Sequence, residues 1–119
     1  MHRTTQGEIK EAIVSHFGSH MEDNLFQIVE EVRPLFKQQA EHLFGQAQQA
    51  LDARNYDQLW KTAHTLKGMS GNLGLAHFSS LCRDLEILAE QQALHAAALK
   101  VDQLMVEFGQ VRSVLDEWH

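Results

Sequence analysis

The fold this sequence predicts is all-α: an antiparallel, up-down-up-down four-helix bundle with a short extra helical segment at its N-terminus. Three observations predict it. No stretch of the 119 residues alternates apolar and polar side chains with a period of two, so no strand is read. Four long segments carry apolar residues at helical spacing and are rich in Leu, Ala, Gln and Glu, all good helix formers. Short breaks join those segments, and short connections force antiparallel neighbours. The length suits one domain, with residues 1–22 as a helical extension and residues 23–119 as the bundle.

The first element runs roughly from Thr5 to Phe17, with Ile9, Ile13, His16 and Phe17 at helical spacing. Gly18-Ser19-His20 reads as its stop. A second segment starts near Asp23 and carries Phe26, Val29 and Val32. Pro34 is expected to interrupt it, because proline lacks an N–H and disfavours helical geometry in the residue before it. Pro34 also suits the first turn of a new helix. That helix is expected to reach about Ala53, with Phe36, Ala40, Leu43, Ala47 and Ala50 facing inward. The next begins near Asn55 or Asp57. Its stripe is Leu59, Ala63, Leu66, Ser70 and Leu73, and Gly74 is placed as its stop. A fourth runs from about Leu75 to Gln92 with Phe78, Leu81, Leu85 and Leu88 inward. The last, from about Leu94 to Trp118, carries Leu94, Ala97, Val101, Leu104, Phe108, Val111, Leu115 and Trp118.

Composition excludes several classes of function. Ten basic against 16 acidic residues give a formal charge of −6, which argues against nucleic acid or an anionic membrane as the primary partner. The longest apolar run, Ala96 to Leu99, is far too short to span or insert into a membrane. One cysteine, Cys82, rules out an internal disulfide framework and any multi-cysteine zinc site, and fits a reducing cytoplasm. No glycine-rich nucleotide-binding motif is present. Eight histidines raise the question of metal, but no Glu-x-x-His pair occurs, and no metal site is assigned. Cys82 reads as a small core residue, and Gln38 to Gln49 as a solvated helix face.

Packing does not explain Ala63-His64-Thr65-Leu66-Lys67-Gly68-Met69-Ser70-Gly71-Asn72-Leu73-Gly74. Gly74 serves as a cap, but Gly68 and Gly71 fall inside the helical pattern, where each costs roughly 1 kcal/mol relative to alanine. His64, Gly68 and Gly71 share one face beside the core stripe, with Lys67 on the same side. The result is an imidazole beside a strip of bare backbone, with an ammonium next to it. Glycine lets another protein approach closely, and a neutral imidazole nitrogen is a nucleophile near pH 7. Lys67 is suited to neutralise a transferred phosphoryl group, with Lys61 adding positive field from the preceding turn. His64 lies eleven residues before Leu75 and Glu86 eleven after, so a hairpin at Leu75 sets them at similar height. Glu86 is then placed to accept from one imidazole N–H and leave the other nitrogen to react. Gly45 and Gly109 also interrupt helices; with no reactive group beside them they read as close-packing points.

The run His64-Thr65-Leu66-Lys67-Gly68, followed by Ser70 and Gly74, resembles the signature of histidine-containing phosphotransfer (HPt) domains, four-helix modules of phosphorelays. The likeness covers the chain from about Asp23 to its end. It implies that His64 is the phosphorylated residue, that Lys67 supports the phosphoryl group and that Gly68 admits the partner. Glu86 stands where some members place a polar residue touching the histidine; Gly71 departs from the more usual alanine or serine. The relay implied runs from an aspartyl phosphate on one receiver domain to His64, then to an aspartate on another. The partners implied are response-regulator receivers, a hybrid sensor histidine kinase, or both. No cofactor is expected on this chain; Mg²⁺ is expected on the receiver. The chain is expected to be a cytoplasmic monomer and a phosphocarrier, not an enzyme that labels itself from ATP. Met69 and Leu75 are candidates for the docking face. The alternative is an HPt-like adaptor that binds receivers without taking phosphate.

Overall fold

The computed structural model describes residues 5–17 and 25–118, which form five helices. They are α1 (Gln6–Phe17), α2 (Leu25–Ala53), α3 (Tyr56–Gly71), α4 (Ala76–Glu90) and α5 (Leu94–Asp116). The stop expected at Gly18-Ser19-His20 and the start expected at Asp23 lie outside the described residues, as does the side chain of Phe26. The helices α2 to α5 pack in a ring, each against its neighbours in sequence and α5 back against α2, while α1 lies on α5. The bundle is therefore as expected.

The break expected at Pro34 does not occur. Pro34 sits inside a continuous α2 and does not divide it. The missing N–H and the ring clash cost about 3 kcal/mol, so something must hold the helix through that turn. Val29 is buried on one side of Pro34, and Phe36 and Ala40 on the other. Between them Arg33 pairs with Glu30 at 3.2 Å and donates to the Leu115 carbonyl at 3.3 Å. Lys37 pairs with Asp116 at 2.9 Å. The proline turn is thus pinned to the C-terminal end of α5, and its ring points into solvent.

The three turns between α2 and α5 share one closure. A residue in the left-handed region, Arg54 (φ 51°), Gly74 (φ 74°) or Gln92 (φ 54°), follows each helix. The next residue's N–H then reaches back five positions: Asn55 to Ala50, Leu75 to Ser70 and Ala93 to Leu88, at 2.8, 3.0 and 3.0 Å. This is the Schellman pattern, which satisfies carbonyls that a helix end leaves open. Asn55 also caps α3, accepting from the Gln58 N–H at 3.1 Å. Thr5 and Glu8 form a capping box on α1.

The core is built from the expected stripes. Phe36, Phe44, Phe78 and Phe108 meet edge-on or tilted, with ring centroids 5.5–6.5 Å apart. Leu88 and Leu94 are only partly buried. Ile9 and Ile13 of α1 are buried, and Lys10 stands 5.2 Å over the Trp118 ring, fastening α1 to the bundle. Gly45 and Gly109 are not close-packing points: a methyl group added at either meets nothing within 4 Å. They face one another across an open groove between α2 and α5.

Candidate functional site

The site lies where α3 and α4 run side by side. Asn55 starts α3, its stripe Leu59, Ala63, Leu66 and Ser70 turns into the core, and His64 is left on the flank. The His64 side chain is 56% exposed, and its Nδ1 lies 2.9 Å from Glu86 Oε2. Glu86 is buried, with 8% of its side chain exposed. Its other oxygen, Oε1, pairs with Lys67. Burial works against the Glu86 charge, but the hydrogen bonds from Lys67 and His64 outweigh it and hold the carboxyl below its ordinary value of 4.5. Glu86 is therefore ionised at neutral pH and can only accept. Nδ1 must then carry the proton, and the lone pair is left on Nε2.

A second pair of side chains runs parallel to the first. Trp60, four residues before His64, stacks on the imidazole with ring centroids 4.8 Å apart and planes 9° from parallel. Its indole N–H donates to Glu90 Oε1 at 3.0 Å. On the other side of His64, the Lys67 carbonyl accepts from Ser70 at 3.0 Å and from Ser79 at 3.3 Å, tying the end of α3 to α4. Cys82 lies one turn before Glu86, wholly buried. Burial, and then the Glu86 charge, push its thiol up to about 12 against the pull of Lys67. It is an inert core residue.

Residue by residue, the structure brings His64, Lys67 and Glu86 together as the hairpin argument requires. Lys67 arrives already paired with Glu86 and half-buried. Lys61 points outward and pairs with Asp57 at 3.1 Å, so its positive field is largely answered within its own helix. Gly68 and Gly71 are exposed, and a methyl group at either meets nothing within 4 Å, so no internal contact requires glycine there. Met69 is partly buried and lines an open groove with Thr65 of α3 and Leu35, Gln38, Gln39, His42 and Leu43 of α2. Leu75 is not a docking residue: it is buried in the α3–α4 turn, 3% exposed. Trp60 and Glu90 escaped the reading of the sequence. Their signal was the spacing, since each stands four residues from a residue that was singled out. Among the described residues no group of three or more His, Cys, Asp or Glu is arranged to hold a metal. No helix among them is long and apolar enough to cross a membrane.

The family model of the Hpt domain matches residues 31–117, more than half of the chain. The chain belongs to the Hpt domain family. Comparison with curated proteins and with solved structures gives no match. Hpt domains are helical bundles that carry phosphoryl groups on histidine in phosphorelays, and their partners are the receiver domains and kinases of two-component systems. They are phosphocarriers, not kinases. The match begins within α2 and takes in the whole of α3, α4 and α5, and with them His64, Lys67 and Glu86.

Proposed function

We propose that this Hpt domain takes a phosphoryl group onto Nε2 of His64 from an aspartyl phosphate of one receiver domain and passes it to the aspartate of another. The observation that carries the reading is the His64–Glu86 contact: an exposed imidazole whose Nδ1 proton is held by a buried, ionised carboxylate. In the forward step the Nε2 lone pair forms a bond to phosphorus. The P–O bond to the aspartate breaks, and its electron pair stays on the aspartate oxygen. Nδ1 keeps its proton, and the ring takes up positive charge, which the Glu86 carboxylate offsets through the hydrogen bond. The reverse sequence at a second receiver discharges the ring. Lys67, beside the site, partly neutralises the incoming phosphoryl group while orienting Glu86.

Mg²⁺ and the acidic residues that hold it belong to the receiver; this chain brings a nucleophile and a surface. That surface is the exposed backbone of Gly68 and Gly71 together with the Met69 groove and Leu35, which is 60% exposed. Every residue of this surface comes from one chain, so the proposed transfer needs no second copy.

The test is phosphotransfer from a phosphorylated receiver to the wild-type chain and to His64→Gln, with ATP and Mg²⁺ alone as the control reaction. Acid-labile, alkali-stable label appears in the wild type only, and only with the receiver present. Binding of receivers without transfer, equal in both proteins, would make the chain an adaptor instead.

A further inference from the structure

His64 is gripped from two directions, and the phosphocarrier reading uses only one of them. Glu86 holds the ring in its own plane, through Nδ1. Trp60 covers a face of the ring at 4.8 Å, within 9° of parallel. The indole is itself fixed, because its N–H is bound to Glu90. Trp60 and His64 are four apart on α3, and Glu86 and Glu90 are four apart on α4. Two rungs therefore cross between the helices, and the aromatic members of both rungs lie against each other. The carboxylate at the far end of the Trp60 rung raises the electron density of the indole. An indole face is also the side-chain surface that best attracts a cation.

We propose that Trp60, clamped by Glu90, is a positioning residue for phosphoryl transfer, holding the His64 ring in place and stabilising its positive charge once Nε2 is bonded to phosphorus. The inference rests on His64 being the acceptor. The ring that attacks phosphorus does so through a lone pair on Nε2, and its contact with Trp60 is an offset stack. When the Nε2–P bond forms and the bond to the receiver's aspartate breaks, both ring nitrogens are substituted and the ring is cationic. The charged groups around it are Glu86 and Glu90 on α4, and Lys67 and Lys61 on α3. The two lysines oppose a cationic ring, but Lys67 is paired with Glu86 and Lys61 with Asp57. The indole face adds attraction without adding a charge that would repel the phosphoryl oxygens. Trp60 thus acts on the phosphorylated state, and the division of phosphate between this chain and its receiver is where it shows.

The experiment compares wild type, Trp60→Phe, Trp60→Ala and Glu90→Gln. For each, the equilibrium constant for phosphoryl exchange with one receiver is measured, together with the affinity of the unphosphorylated chain for that receiver. Trp60→Ala moves the exchange equilibrium toward the receiver by about two- to fivefold. Trp60→Phe, a weaker π surface, falls between it and wild type, and Glu90→Gln moves in the same direction. Receiver affinity stays put in all three. Tryptophan emission of the wild type changes on phosphorylation, because the ring stacked on the indole gains a phosphoryl group and is held as a cation; the same treatment of Trp60→Phe, which keeps the buried Trp118, leaves emission unchanged. A wild type that transfers phosphate, with variants that match its equilibrium and differ only in receiver affinity, would make Trp60 a docking residue and overturn this inference alone. A wild type that takes no phosphate overturns it together with the assignment of His64.

Discussion

Glu86 uses both carboxylate oxygens on α3, Oε2 on His64 and Oε1 on Lys67, and that double use decides what its substitution does. Glu86→Gln keeps the shape and one acceptor but removes the charge that offsets a cationic ring. Hydrogen bonds to charged groups are worth about 1.5–3 kcal/mol, which corresponds to about 10- to 100-fold in rate. Transfer to His64 is expected to slow by that factor, read as single-turnover kinetics with a phosphorylated receiver; unchanged rates would remove Glu86 from the site. The same residue sets an acid limit. Its carboxyl is held below its ordinary value of 4.5 in the fold, so its contribution is complete above that value and is lost as pH falls through the lower, folded value. Below about pH 4.5 the wild type therefore loses stability more steeply than Glu86→Gln, as paired thermal melts will show. His64, Lys67 and Glu86 were legible because a short turn makes register arithmetic possible. Trp60 was not, because helical spacing alone does not say which neighbour an aromatic ring on a helix flank lies against.

At the scale of the element, the α3–α4 turn is the part that puts His64 and Glu86 level. Gly74 closes it at φ 74°, and a methyl group there would stand 2.1 Å from Cβ of His16 in α1. Gly74→Ala meets two obstacles: about 1–2 kcal/mol for the left-handed region, and a collision that α1 relieves only by moving. It is expected to lower Tm by several degrees and to slow transfer, by shifting α4 against α3. The two other turns give the opposite experiment. Arg54 and Gln92 hold the same left-handed geometry with side chains attached, so Arg54→Gly and Gln92→Gly are expected to raise Tm, each by up to about 1 kcal/mol in stability. Equal losses at all three turns would show that the backbone geometry is not what matters there. Gly74 was readable as a stop because glycine advertises a left-handed residue, whereas Arg54 and Gln92 carry no such sign. Pro34 was misread for a related reason. Local chemistry forbids proline inside a helix, and what overrides it, the hold of Arg33 on Leu115 and of Lys37 on Asp116, joins residues about 80 positions apart.

Over the whole molecule, stability and function occupy different glycines. Gly68, Gly71, Gly45 and Gly109 all stand in helices where added methyl groups meet nothing. Each therefore gives up about 1 kcal/mol of helix stability relative to alanine with no internal return. For Gly68 and Gly71 the return we propose lies outside the molecule, in the close approach of a receiver to His64. Gly45 and Gly109 line the α2–α5 groove, which His64 does not border. One set of variants separates the two cases. Gly68→Ala, Gly45→Ala and Gly109→Ala are each expected to raise stability by up to about 1 kcal/mol in denaturant titrations. Only Gly68→Ala is expected to weaken receiver binding and slow transfer, since its methyl group stands one helical turn from the imidazole on the approach side. The stability gain shared by all three removes misfolding as an explanation for the loss in one. If Gly45→Ala or Gly109→Ala weakened receiver binding as much as Gly68→Ala does, the receiver would be engaging the α2–α5 groove as well, and the docking face drawn around His64 would be too small.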